Sequence, residues 1–390
     1  MRDQEMQMKS LYTRLIVMAI SALQMAMHGQ LLAQETLTAV TTPTFAYLDG
    51  SKAVYQDYPA SKAAIVEIDV NTKVKRPLLP DAGGTAPFYY DYGCTGIDMA
   101  YVTFSNKPVY PLEYMNTQTK EKKSLSADQG WKESVWVGKG MAVWVDYRHK
   151  TASDKNGEIY MCTLPSGTEK RVTTSVSYQA KPVTDGKHIA WLDYADGKIA
   201  NVILYDISSG GLVTPAASPS HQDNPRIDGD YLVWEDYRNA KSDTTNVDIF
   251  SYNIKSKVVT PLCTQPRFQG RLFLQGLGVV WEDYRNTGSN KDNVDIYGYD
   301  LAENKEVAVS TRSGYDASPV IYLDKALWCA TTGSTMNLVA STLTFNKGIL
   351  AVGPRTRPRI QPLSDELFRP DGRKVAGTQA SFPYGYIRRP

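Results

Sequence analysis

Asp, Tyr and Arg stand together three times in this chain, at Asp146–Arg148, Asp236–Arg238 and Asp283–Arg285, each time behind a Trp-containing apolar run. The phrase VWEDYRN is written twice, at Val233–Asn239 and Val280–Asn286, with a near copy, VWVDYRH, at Val143–His149. Three kinds of chemistry fit an acid, a tyrosine and a base in that order. In the first, Asp accepts backbone N–H bonds at the entry to a loop while the flat Arg fork meets a carboxylate with two parallel bonds, a structural role. In the second, Tyr147, Tyr237 and Tyr284 line a surface for a glycan or peptide together with Arg148, Arg238 and Arg285, because tyrosine joins an apolar face to a polar tip. In the third, the following loops hold a cation: Asp154, Asn156 and Glu158 in DKNGE place oxygens at alternating positions, as calcium loops do, but without the full twelve-residue pattern. Repetition favours the structural role, since each repeat poses the same local problem while a catalytic site is asymmetric and occurs once.

Catalysis has few residues to draw on. Past residue 33 the histidines are His149, His188 and His221. His149 and His221 fall in loops expected on one face and form the candidate catalytic pair if the protein is an enzyme. His188 sits inside the strand-like KHIAW and reads as structural.

The elements that must position these residues come from a repeat. Aligned on its aromatic, the phrase recurs at Tyr55, Tyr101, Trp144, Trp191, Trp234, Trp281 and Trp328, in steps of 46, 43, 47, 43, 47 and 47 residues. A turn precedes it at Asp49–Gly50, Asp185–Gly186, Asp228–Gly229 and Gln275–Gly276, the chemistry of a tight hairpin. A polar loop follows, then an alternating run such as DIFSYNI or DIYGYDL, then a third run such as KVVTPLC. Four short strands per unit of this length describe a propeller blade, and the period-2 alternation excludes a helical repeat. The fold class expected is all-β: a seven-bladed β-propeller of four-stranded antiparallel blades, closed by an N-terminal strand at Thr36–Thr41 that completes the blade formed near Ser318–Thr344. In such a ring the loop after the second strand and the loop between blades share one face, around the channel mouth, and long loops on one face of a rigid scaffold are where binding resides.

The stretch NPRIDGDYLVWEDYRN…DIFSYNI (Asn224–Ile254) resembles the TolB-like propeller repeats, whose pattern runs from Pro through an inner strand and Asp-Gly to an apolar strand ending in an acid and Arg, then Asp-Ile-Tyr. The likeness is strong in the third to sixth units, weaker in the first and seventh, and the second lacks both DYR and DIY. It implies the fold and says little about function. Some members, the oligogalacturonate lyases, use histidines and a metal at the channel mouth, but no matching histidine set is recognisable here. Nor is there a GxSxG or an appended hydrolase domain of the kind propeller-bearing peptidases carry. The C-terminal LFRPDGRKVAGTQASFPYGYIRRP is similar to the end of type IX secretion sorting tails; a basic tail or an added strand pair is the plainer reading.

Composition sets the remaining bounds. Hydrophobic residues at 42% and charged residues at 22% are ordinary for a chain that buries a core, while Tyr 25 against Phe 9 suits strands and half-buried surfaces. A net charge of +2 without a basic stripe argues against nucleic acid. Lys9 and Arg14 lead into the apolar Leu15–Met27 and a small-residue exit at Ala33, the build of a secretory signal peptide and shorter than the ~20 residues of a spanning helix. Cys94, Cys162, Cys263 and Cys329 lack metal-ligand spacing and are expected as buried thiols.

The expected organisation is therefore a signal peptide over 1–33, a propeller over 36–352, and a Pro/Arg-rich linker and tail over 353–390. The expected function is that of an exported, non-enzymatic, monomeric binding module, periplasmic, cell-surface or secreted. Its partner would be a protein or polysaccharide held on the Asp-Tyr-Arg face, with no membrane span after cleavage and no cofactor, calcium being the candidate ion. The alternative is a polysaccharide lyase or other glycan-degrading enzyme with its site at the channel mouth.

Overall fold

The computed structural model describes residues 34–40, 44–57, 64–79, 89–104, 110–126, 128, 130–150, 157–165, 167–195, 197–240, 246–288, 293–332 and 334–343. Segments 1–33 and 353–390, and the signal and sorting expectations attached to them, lie outside these residues. Every element among the described residues is a strand, and the strands form seven antiparallel sheets of four. The protein is a seven-bladed β-propeller.

The innermost strands of blades 1 to 7 are Thr44–Asp49, Tyr89–Thr95, Lys132–Gly138, Tyr178–Thr184, Gln222–Asp228, Gln269–Gln275 and Asp316–Tyr322. The degenerate second unit is a full blade, completed by Asp98–Phe104, Leu112–Asn116 and Lys122–Ser126. Closure is as expected from sequence: Gln34–Val40 is the outer strand of blade 7, pairing antiparallel with Thr335–Thr342, Gln34 opposite Ser341 and Val40 opposite Met336.

The repeated phrase forms the second strand of its blade, apolar on both sides because a blade has a neighbour on both sides. In blade 3 the second strand is Met141–Asp146. Its Ala142 and Trp144 pack with Val102 and Leu112 of blade 2, while Val143 and Val145 pack with Ile189 and Trp191 of blade 4. Blade 5 repeats this, Trp234 facing Ala190 and Leu192 behind it and Val233 facing Leu272 and Trp281 ahead. Trp144, Trp234, Trp281 and Trp328 are fully buried. Emptying one such site costs about 3–5 kcal/mol, so these indoles are the main fasteners between blades. The hairpin turns behave as their residues dictate: Gly50, Gly186, Gly229 and Gly276 all adopt positive φ, between 58° and 85°. The four cysteines are buried free thiols.

One feature of the inner strands has no counterpart in the sequence pattern. In blades 3 to 7 the ladder to the second strand slips by a residue, and the bulged residue takes a left-handed conformation. These are Ser134, Lys181, Asn224, Arg271 and Ser318, with φ between 49° and 56°. None is glycine, so each stores about 1–2 kcal/mol that its surroundings must offset. Bulges of this kind re-aim side chains and gather beside functional sites.

Candidate functional site

The Asp-Tyr-Arg loops divide their labour between blade and mouth. Asp146, Asp236 and Asp283 are buried at the ends of their second strands. Each accepts the indole N–H of the Trp two residues before it, at 3.0, 2.9 and 2.9 Å, and the backbone N–H of its own Arg, at 3.0, 3.0 and 2.9 Å. Arg238 and Arg285 grip the same carboxylate with two parallel bonds, through Nε at 2.8 and 2.9 Å and Nη2 at 2.7 and 2.6 Å. Arg148 uses Nη2 alone, at 2.7 Å.

All three guanidinium groups lie flat on an aromatic of the third strand, 4.4 Å from Tyr160, 4.0 Å from Phe250 and 3.9 Å from Tyr297. Arg148 and Arg285 also reach a glutamate at the blade's outer edge, Glu169 at 2.6 Å and Glu306 at 2.8 Å. The arginines thus run across their own blades as ties. Burial by itself would raise Asp146 and Asp236, yet the bonds from Arg and Trp hold both below the usual carboxylate range. Asn239 and Asn286 finish the phrase by donating to Asp248 and Asp295 at the start of the third strand. Blade 4 lacks the Arg, and there Asp193 turns to Ser177 and Gln179 while the Trp191 indole N–H finds no acceptor.

The tyrosines go elsewhere. Tyr147, Tyr237 and Tyr284 donate their backbone N–H groups to Trp131, His221 and Phe268, the residues just ahead of each inner strand. The rings of Tyr237 and Tyr284 meet those of the same residues and other pairs continue the row: Phe268–Tyr284 at 5.3 Å, His221–Tyr237 at 5.2 Å, Tyr194–His221 at 5.9 Å, Tyr178–Tyr194 at 5.2 Å and Tyr110–Trp131 at 4.9 Å. Tyr147 donates its hydroxyl to Glu133 at 2.8 Å. Blades 2 to 6 thereby contribute to an arc of rings around the channel mouth, most of them half-buried, Trp131 and Tyr178 each 38% exposed.

Inside the arc, three of the five bulges are held by a carboxylate of the preceding blade. Asp91 of blade 2 accepts the backbone N–H groups of Ser134 and Val135 in blade 3, at 2.5 and 2.9 Å. Glu235 of blade 5 accepts that of Arg271 in blade 6 at 2.5 Å, and Glu282 of blade 6 that of Ser318 in blade 7 at 2.8 Å. The glutamate of VWEDYRN is therefore a clamp onto the next blade. Asn224 Nδ2 also donates to Glu235, and Arg271 pairs with Glu282 at 3.1 Å. Lys181 pairs with Asp223 at 2.6 Å. Burial pushes Glu235 up to about 7 and Asp91 up to about 6, and raises Glu282.

Below these lies a floor. Trp136 of blade 3 and Phe273 of blade 6 meet across the axis with centroids 6.4 Å apart, and the Arg226 guanidinium of blade 5 lies 4.8 Å from the Trp136 ring. Beyond the floor, at the mouth carrying the Asp-Gly turns, is a cavity of about 70 Å³ lined by Tyr47, Thr95, Trp136, Phe273 and Gln275 among others. Lys139 and Asp228 form an ion pair there.

The structure separates the candidate catalytic pair. His149 Nε2 shares a hydrogen bond with the Tyr160 hydroxyl at 2.8 Å, on blade 3. His221 sits between Tyr194 and Tyr237, its Nδ1 accepting the Ala200 N–H at 3.3 Å, and burial lowers its pKa. Of the candidate cation ligands, Asp154 and Asn156 lie outside the described residues. Glu158 is occupied by Arg171 at 2.8 Å and Thr173 at 2.7 Å. Among the described residues no group of three or more His, Cys, Asp or Glu is placed to hold a metal ion.

Sequence reasoning passed over Trp131, Tyr178, Phe268 and Tyr315, although each stands at one constant offset ahead of its blade's repeated Trp, or of the position that Trp defines. It also passed over the clamp role of Glu235 and Glu282 and the place of Arg226, which depend on contacts between blades.

No protein-family model matches the chain, and no curated protein matches it. Solved structures do. Oligogalacturonate lyase in complex with manganese aligns at 13% identity over 82% of this chain and 94% of its own, with a TM-score of 0.59. The propeller domain of the Trilobed protease from Pyrococcus furiosus aligns at 11% identity over 79% and 96%, with a TM-score of 0.58. Acylaminoacyl peptidase aligns at 9% identity and a TM-score of 0.56, and the chain spans 53% of that longer protein. At these identities the likeness is one of fold. Among the described residues no helix is long and apolar enough to cross a membrane.

Proposed function

We propose that this protein is an exported, non-enzymatic binding module that takes a protein or polysaccharide on the face carrying the Asp-Tyr-Arg loops. The observation that carries the reading is the arc of half-buried rings from Tyr110 to Tyr284 around one mouth of the ring. Rigid aromatic faces with polar tips, set on strand ends, give contact area at little entropic cost. The arginines of the same loops support the rings by anchoring each loop to its blade. The test is a glycan array and a peptide array probed with the full chain and with Tyr178→Ala and Tyr237→Ala variants. Wild-type binding that falls about tenfold or more in either variant is the expected result. Ligands bound equally by all three proteins would sink the reading.

A second reading, a glycan-degrading enzyme at this mouth, draws support from one pair of acids. Asp223 and Glu235 are cross-strand partners in blade 5. Asp223 pairs with Lys181, while burial raises Glu235 to about 7, and two neighbouring carboxyl groups in unlike environments suit acid–base work on a glycosidic bond. His149 has no part in that site. Assaying a panel that includes oligogalacturonides for new reducing ends or unsaturated products decides it. Activity lost in Glu235→Gln would favour the enzyme, and an inert wild-type protein would remove it.

A further inference from the structure

Among the described residues, one arginine at the level of the floor, Arg226, forms no ion pair. Arg226 Nη1 donates to Pro225 O at 2.8 Å, its face lies on Trp136, and its Nε, shielded from solvent, meets no acceptor. The other arginine of the wall, Arg271, is paired with Glu282. The acids whose field Arg226 feels, Glu235 and Asp223, are engaged, the first by Asn224 and the Arg271 N–H, the second by Lys181. An arginine left unpaired in a low-dielectric interior is costly, and proteins seldom keep one.

The company it keeps is apolar. Trp136, Val183, Phe273 and Val320 stand at the same level of their inner strands as Arg226, each opposite the residue before its blade's repeated aromatic, and Tyr47 and Gly93 hold that position in blades 1 and 2. Trp136 and Arg226 keep part of their surface open, while Val183, Phe273 and Val320 are buried. One guanidinium in a ring that is otherwise apolar, the Tyr47 hydroxyl apart, matches a group that carries a single carboxylate next to a hydrocarbon side chain. An acidic sugar would leave several hydroxyls without partners beside the buried Val183 and Val320, and a phosphate would call for more than one cation.

We infer that this level captures the free C-terminus of a peptide ending in an apolar residue, the carboxylate on Arg226 and the last side chain against Trp136. The inference rests on the proposed binding face and names its ligand class. Arginine forks bind carboxylates with two parallel bonds, and terminal carboxylates are a recurrent recognition element.

The experiment uses the full chain and N-acetylated tetrapeptides ending in Leu or Phe, as free acids and as C-terminal amides, with binding read by calorimetry. The free acids should bind, and the amides should bind about 10- to 100-fold more weakly. Arg226→Gln should bring the acids down to the level of the amides. Acids and amides binding alike would overturn the inference, as would binding of an oligouronide through Arg226 with no binding of peptides. Thermal melting guards against a misfolded variant: Arg226→Gln, having lost an unpaired charge, should melt at or above the wild-type temperature, and a marked fall would assign Arg226 to structure instead. Array ligands lost in Tyr178→Ala but kept in Arg226→Gln would retain the binding face and discard this site.

Discussion

Glu235 of blade 5 accepts the backbone N–H of Arg271 in blade 6 at 2.5 Å, so that one acid of a second strand fixes the left-handed bulge of the next blade's inner strand. The same link joins Glu282 to Ser318. In blades 3 and 4 the corresponding residues are Val145 and Leu192, and there the clamp is missing. The ring is thus stitched unequally, by second-strand glutamates from blade 5 to blade 7 and by the inner-strand Asp91 from blade 2 to blade 3.

This clamp makes stability depend on pH. Burial raises Glu235 in the folded protein from its ordinary 4.5 to about 7, so the folded state holds a proton that the unfolded chain has released. Stability should therefore fall as pH rises from about 4.5 to about 7 and level off above, by at most about 3 kcal/mol from this group. Asp91, raised to about 6, acts in the same direction. Urea unfolding at pH 5, 6, 7 and 8 reads the slope, which Glu235→Gln should flatten. An unchanged slope in that variant would show the shift to be absent.

The ties across the blades should prove strongly coupled. Removing Arg285 leaves Asp283 buried without its partner, at a cost of about 3–5 kcal/mol. Asp283→Asn combined with Arg285→Met should cost less than the sum of the two single changes, giving a coupling of about 1–3 kcal/mol in a double-mutant cycle. Additive losses, measured by chemical denaturation, would mean that the pair is an incidental contact.

Blade 5 offers an internal comparison. Arg238 grips Asp236 with two bonds, but no bond to an outer-strand glutamate accompanies it, whereas Arg285 also holds Glu306. Arg238→Ala is therefore expected to cost about 1 kcal/mol less than Arg285→Ala. Equal costs would place the whole effect in the aspartate and the stacked ring.

Phe273 closes the axis against Trp136 and is 8% exposed. Phe273→Ala should lower stability by about 3 kcal/mol and join the space beside Arg226 to the cavity at the opposite mouth. Tryptophan emission should then shift to longer wavelength and be quenched more strongly by iodide, a change that adding Trp136→Phe should remove. A variant with wild-type emission would show that the floor is sealed by other groups.

The number and register of blades were readable because the burial problem repeats. A large aromatic inside a short apolar run is needed wherever a strand has a neighbour on each side, and Asp-Gly marks several of the hairpins that precede it. The blade-closing strand was readable because Thr36–Gly50 reads like Glu306–Asp324, the outer strand of one unit leading into the inner strand of the next. The site was only half visible. Tyr147, Tyr237 and Tyr284 stood out through their motif, but its arginines serve the blade, and the rings that complete the arc precede an element whose start no local pattern marks. The bulges at Asn224 and Arg271 and the orphaned Arg226 follow from distances across the ring, which a linear pattern does not carry.

Finally, Gln34–Val40 is the earliest strand described, and its partner Thr335–Thr342 is the latest. A chain emerging in order can assemble six blades while the seventh still waits, its open edge exposed to other strands. The slowest step of assembly is then the meeting of two segments separated by almost the entire propeller, a search whose entropy no local contact has lowered. The ring therefore acts as its own proof of length: a chain that ends before Thr335 leaves its first strand without the edge it pairs with.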